Sequence, residues 1–97
     1  MIIYITGPMS GLPDLNFPAF HAAAAKLRAE GHTVINPAEI NADVAGQRPW
    51  DFYMRADIVE LTKCEAIYLL NGWRDSKGAL LEFTIAVGLD MESFSQP

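Results

Sequence analysis

Ile2-Ile3-Tyr4-Ile5-Thr6, closed by Gly7-Pro8, decides the fold. The run is β-branched and aromatic, short, and bounded by a turn signal, which is how a buried strand reads. Beyond it, Phe17, Phe20, Ala24 and Leu27 fall three or four apart, Pro18 stands in the first turn and Gly31 follows as a C-cap, so a helix comes next. Thr33-Val34-Ile35 is a second, shorter strand. Asn36-Pro37 ends it, because a residue before proline is pushed out of the helical region.

A polar and partly irregular linker runs from Pro37 to Pro49. A second helix follows from Trp50 to about Lys63, with its apolar stripe at Trp50, Met54, Ile58 and Leu61. Ala66-Ile67-Tyr68-Leu69-Leu70 is a third strand, Asn71 to Lys77 a loop, and Ala79 to Leu89 a third helix. The tail from Asp90 to Pro97 reads either as a fourth short edge strand or as a fraying end. Strands alternating with helices at this spacing predict parallel β-α-β units with right-handed crossovers, an α/β fold class.

The chain has 97 residues, 51% of them hydrophobic, which makes residues 1–97 a single domain with room for one modest core and one site. Seven Lys and Arg against twelve Asp and Glu give a formal charge of -5 with no basic run. Binding to a nucleic-acid polymer is disfavoured, because it depends on neutralising phosphates; backbone amides can still hold a small anion. Cys64, the lone cysteine, cannot form an internal disulfide and reads as a buried structural thiol in apolar surroundings. No Cys/His cluster has the spacing of a zinc site, and His21 and His32 carry no base or metal signature, so neither a metal nor a redox cofactor is implied. Met1 leads straight into the first strand with no basic segment before a long apolar one. Neither a signal peptide nor a membrane span is therefore expected, and the cytoplasm is the expected compartment.

In an open parallel sheet, ligands bind beyond the carboxyl ends of the strands, which makes Gly7 to Pro13, the segment from Asn36, and Asn71 to Gly78 the useful loops. Gly7-Pro8-Met9-Ser10-Gly11 can present amides and the Ser10 hydroxyl to a phosphate, or can simply be a tight turn needing positive φ at its glycines. Glu82 falls with Ala79, Phe83 and Ala86 on the apolar face of the third helix, where a carboxylate has no structural reason to face a sheet unless it has a partner or a function. The alternative is an offset stripe with Glu82 at its solvated margin. Asp57 lies near the inward stripe of the second helix; it is either a site acid or a surface acid paired with Arg74 or Lys77. Tyr4, near the end of the first strand, brings a hydroxyl within reach of the same edge, with Glu82 a candidate partner. Ser76 is a candidate N-cap, Gly78 admits a ligand to the first-turn amides, and Trp73 and Trp50 are candidates to stack on a planar ligand. Two carboxylates, a tyrosine and an anion-friendly loop suit cleavage at an anomeric carbon.

Tyr4-Ile5-Thr6-Gly7-Pro8-Met9-Ser10-Gly11, Asp57 before Cys64-Glu65-Ala66-Ile67, and Ser76-x-Gly78-x-x-x-Glu82 occur in an order that resembles the nucleoside 2-deoxyribosyltransferase superfamily, which includes the 2'-deoxynucleoside 5'-phosphate N-hydrolases. Within it the chain is most similar to the DUF4406 domain family. The resemblance runs from Ile2 to about Leu89. It implies a three-layer α/β/α sandwich around a short Rossmann- or flavodoxin-like parallel sheet. By resemblance, Glu82 is the nucleophile that attacks C1', Tyr4 positions it, and Asp57 protonates the departing base or contacts the sugar. Gly7, Pro8, Ser10, Gly11, Trp73, Ser76 and Gly78 are the implied substrate-binding residues, with Ser10, Gly11, Ser76 and Gly78 around a 5'-phosphate. Where the N-hydrolases carry an arginine in the first loop this chain has Ser10, leaving Arg74, Lys77 or Arg48 as substitutes. The chain ends soon after the third helix, where larger members continue, so part of the pocket is expected from a partner subunit. A homodimer is the expected assembly, with Trp50, Phe52 and Tyr53 as surplus aromatic surface.

The expected activity is cleavage or transfer at the N-glycosidic bond of a deoxyribonucleoside or its 5'-monophosphate, through a covalent intermediate on Glu82. A non-catalytic module that senses or sequesters a nucleotide is the alternative.

Overall fold

A computed structural model describes residues 1–97 as four strands alternating with three helices. These are β1 (Ile2–Thr6), α1 (Phe17–Ala29), β2 (Thr33–Ile35), α2 (Trp50–Leu61), β3 (Ala66–Leu69), α3 (Lys77–Gly88) and β4 (Glu92–Ser95). The sheet is ordered β2-β1-β3-β4 and every pairing in it is parallel. With α1 on one face and α2 and α3 on the other, the chain is a three-layer α/β/α sandwich of Rossmann-like type. No helix is long and apolar enough to cross a membrane.

Strand alternation divides the core in two. Ile3, Ile5, Ala66, Tyr68 and Leu70 point to one face and meet Phe20, Ala23, Ala24 and Leu27 of α1. Tyr4, Ile67 and Leu69 point to the other and meet Leu61 at the end of α2 and Ala86 of α3. Because helices cover both faces, β1 and β3 are apolar on both, which is why they read as continuous apolar runs.

Helix ends follow their residues. After α1, the amide of His32 donates to the Leu27 carbonyl and that of Gly31 to Arg28, a Schellman closure that uses the left-handed φ of +95° at Gly31. Ser76 caps α3 by accepting from the Ala79 amide, so the helix begins at Lys77, two residues before the start predicted from its apolar spacing. The linker holds two short 3-10 turns, Pro37–Glu39 and Ala42–Val44. The tail is the edge strand rather than a fraying end. Met91 packs under α3, and Glu92 to Ser95 pair in register with Ala66 to Leu69.

Two sequence expectations change. In α2, Met54 and Leu61 are buried, but Trp50 is exposed and only partly covered, because the first turn of the helix overhangs a cavity instead of the sheet. Of the three aromatics read as surplus surface, Trp50 and Phe52 stay exposed, and only Phe52 lies off the cavity wall. Trp50 lines the cavity, and the Tyr53 hydroxyl accepts from the amides of Gln47 and Arg48 and donates to the Val44 carbonyl, clasping the linker.

Gly7 is required by close approach, since a Cβ there would lie 2.7 Å from Cβ of Leu70. Gly7→Ala is expected to lower stability by about 1–3 kcal/mol through overpacking at the end of β1, read as a drop in the chemical-denaturation midpoint at unchanged slope.

Candidate active site

The three loops at the carboxyl ends of the strands converge on one cavity of about 550 Å³. Gly7 to Ser10 come from the loop after β1, Ile40, Ala45 and Arg48 from the linker after β2, and Asp75 to Gly78 from the start of α3. Phe17, Phe20 and Trp50 supply aromatic wall. On the first loop, Asp14, Leu15 and Asn16 all adopt left-handed φ between 52° and 58°, a conformation that costs L-residues roughly 1–2 kcal/mol each. The Asn16 side-chain amide donates to the Pro8 carbonyl and holds that turn in place, with Leu15 against the cavity.

Glu82 is at the cavity floor, 5% exposed, on the inward face of α3. Ala79 one turn before it and Ala86 one turn after are both buried, so small side chains let the helix lie close to the sheet. Residues 4 and 6 of β1 share one face of the strand. From that face the Tyr4 hydroxyl donates to Oε2 of Glu82 at 2.5 Å, and the Thr6 hydroxyl donates to Oε1 at 2.6 Å. Each carboxylate oxygen thus has its own donor, and the inward carboxylate has the partners that burial demands. The offset-stripe alternative does not hold.

Asp57, on α2, faces the same cavity. It takes part in none of the three ion pairs, which join Arg28 to Glu39, Arg55 to Asp51 and Lys63 to Glu60, so the pairing with Arg74 or Lys77 is not made. Burial, together with the nearby charge of Glu82, pushes its carboxyl up to about 8. Burial raises Glu82 to about 7, with the Thr6 and Tyr4 hydroxyls pulling the other way. Burial and the two acids hold the Tyr4 phenol well above its ordinary value, so it remains a donor. Cys64 is buried, its thiol pushed up to about 11, first by burial and then by the Glu60 charge, and its Sγ donates to the Glu60 carbonyl. It is an inert structural thiol.

Of the residues expected from the sequence, Glu82, Asp57, Gly7, Pro8, Ser10, Ser76 and Gly78 all line this cavity, while Tyr4 sits behind Glu82, fully buried. Gly11 and Trp73 do not line it. Gly11 has φ of +80° and open space around it, which makes it a turn residue. Trp73 packs on Phe83, with ring centroids 4.7 Å apart, and borders a separate depression at the ends of β3 and β4. The tryptophan of the cavity is Trp50, with the Lys77 ammonium 4.3 Å from its ring centroid. Gly78 has a packing reason as well, since a Cβ there would lie 3.2 Å from Sδ of Met54, where α2 and α3 meet. Thr6 was not anticipated. A threonine at a strand end looks like ordinary β-former, and only its alternation with Tyr4 carried a signal.

No group of three or more His, Cys, Asp or Glu side chains gathers into a metal site. The arrangement offers instead an oxygen nucleophile with neutral donors and, beside it, an acid that keeps its proton to higher pH.

Both acids bind protons more tightly in the folded chain than in the unfolded one. Folding stability therefore falls as pH rises from the ordinary carboxyl range to about 8. Asp57→Asn removes one of these groups, so its Tm should exceed that of the wild type at pH 8 to 9 and converge with it near pH 4. A thermal melt resolves the gap easily, because about 1 kcal/mol moves Tm by roughly 4–8 °C in a domain of this size.

A search among curated proteins returned no match. The sequence model of a family described as domain of unknown function (DUF4406) matches residues 1–93. That span begins at β1, contains Asp57 and Glu82 and runs into β4, and on it the chain belongs to the DUF4406 family.

Proposed function

We propose that this protein cleaves or exchanges the N-glycosidic bond of a deoxyribonucleoside or its 5'-monophosphate. The observation that carries the reading is the buried Glu82 carboxylate, with one hydroxyl on each oxygen, facing a cavity that also holds a more basic acid, Asp57. A pair of acids whose environments separate their proton affinities divides the roles of nucleophile and proton donor. An anion-binding pocket alone would gain nothing from two acids, which repel a phosphate.

In the proposed reaction an oxygen of Glu82 forms a bond to C1' as the C1'–N bond breaks. The electron pair of that bond goes to the base nitrogen, which takes the proton of Asp57. Water, or the nitrogen of a second base, then attacks C1', the Glu82 oxygen leaves with its electron pair, and the proton of the attacking group passes to Asp57. Two displacements at one carbon retain the anomeric configuration. The apolar and aromatic wall, with Met9, Phe17, Phe20 and Trp50, suits a flat base. Arg48 and Lys77 line the cavity and belong to none of the three ion pairs, so they can meet a 5'-phosphate where the first loop has no arginine.

The test is chromatographic detection of free base from a panel of deoxynucleosides and their 5'-monophosphates, with and without a second base. Glu82→Ala should reduce release by roughly 10³-fold or more, and Asp57→Asn by roughly 10²–10⁴-fold. A product of inverted configuration overturns the covalent route. Silence from the wild type, with thermal stabilisation by nucleotides, replaces it with a binding module.

The rate should follow a bell in pH with its maximum between about 7 and 8. Below that window Glu82 takes up a proton and cannot attack. Above it Asp57 loses the proton that the base needs. The two limbs belong to the pair of acids jointly.

A further inference from the structure

Thr6 is fully buried, and its only side-chain hydrogen bond runs to Glu82. We infer that Thr6 is a positioning residue, whose hydroxyl, with that of Tyr4, fixes the Glu82 carboxylate and aims it into the cavity. The inference rests on reading Glu82 as the attacking group.

The placement follows from the end of β1. Thr6 is its last residue, paired with Leu69 of β3, and Gly7 must follow because nothing larger fits against Leu70. The backbone at this point is therefore held closely against β3. The β-branched side chain has few rotamers, and the one adopted points its hydroxyl at Oε1 of Glu82. Valine would fill the same space in a buried strand without the cost of burying a hydroxyl, and the hydroxyl finds its compensation in Oε1 of Glu82.

The surroundings explain why this contact matters for reactivity. Glu82 faces Tyr4 from β1 and Asp57 from α2, while Arg48, Asp75 and Lys77 stand elsewhere on the cavity wall. No Lys or Arg lies within ion-pair reach of its carboxylate. The ionised form therefore depends on two neutral donors. A guanidinium would stabilise the charge more strongly, but it would also tie down the electron pair that must attack. Of the two donors, Thr6 is the one that can be removed without disturbing an aromatic ring at the centre of the core.

The experiment follows the carboxyl carbon of Glu82 by NMR in protein carrying 13C-labelled glutamate, in wild type, Thr6→Val and Thr6→Ser. Loss of a donor to the charged form should raise the Glu82 titration by roughly one pH unit in Thr6→Val, and Thr6→Ser should restore it. In the glycosidic assay the acid limb should move upward in parallel, with kcat at pH 7 down roughly fivefold and KM unchanged. Thr6→Ala provides the same donor loss if valine distorts the strand. A Glu82 titration that stays at its wild-type position in both Thr6→Val and Thr6→Ala overturns the inference, as does a raised KM with kcat unchanged, which would make Thr6 a ligand contact. A shifted titration in a protein that cleaves no glycoside supports the role of Thr6 and overturns the functional reading instead.

Discussion

A carboxylate on α3 meets two hydroxyls from β1, and the rest of the structure is arranged so that it can. Unpaired, that carboxylate would cost several kcal/mol or be forced neutral. Paired, it fastens α3 to the centre of the sheet at the cavity floor. Both donors must come from alternate positions of one strand, the helix must lie close enough for a glutamate to reach them, and buried alanines one turn to either side of Glu82 allow that approach. The contact joins stability to the site, because the same oxygens that anchor the helix face the cavity.

The sheet serves two ends by its period of two. Odd positions of β1 build the core under α1, while even positions, Tyr4 and Thr6, turn toward α3 and the acids. A shift of one residue in register would exchange the faces and put isoleucines against Glu82. Covering both faces with helices makes such a shift costly on either side.

Around the acids, the cavity wall is built from segments with little regular structure, each tied by a specific contact. The left-handed turn at Asp14 to Asn16 is fastened to Pro8, and the linker is clasped by the Tyr53 hydroxyl through three backbone groups. Strained or irregular backbone beside a site persists when surrounding contacts over-determine it. Here those contacts hold Leu15, Ala45 and Arg48 against the opening without a helix or strand to carry them.

The sequence by itself determined the order of elements through α3 and the parallel α/β class, and it singled out Glu82 and Asp57 while leaving each a surface alternative that the structure removed. Apolar runs and three-to-four spacing are local properties, and a carboxylate inside an apolar stripe is a conflict visible without coordinates. Glu82 with Tyr4 was legible for that reason, and so were the three loops at the sheet edge. What only the tertiary structure decided depends on distances between segments far apart in the chain. Glu92 to Ser95 form a strand whose side chains are all exposed, so no apolar pattern marks it and pairing with β3 makes it. Trp50 rather than Trp73 faces the cavity, because the start of α2 overhangs the opening and Trp73 finds Phe83 first. Gly7 and Gly78 answer to Leu70 and Met54, neighbours no local pattern names. Thr6 gained its partner 76 residues away, since a buried hydroxyl in a strand takes its meaning from whatever the opposite helix brings to it.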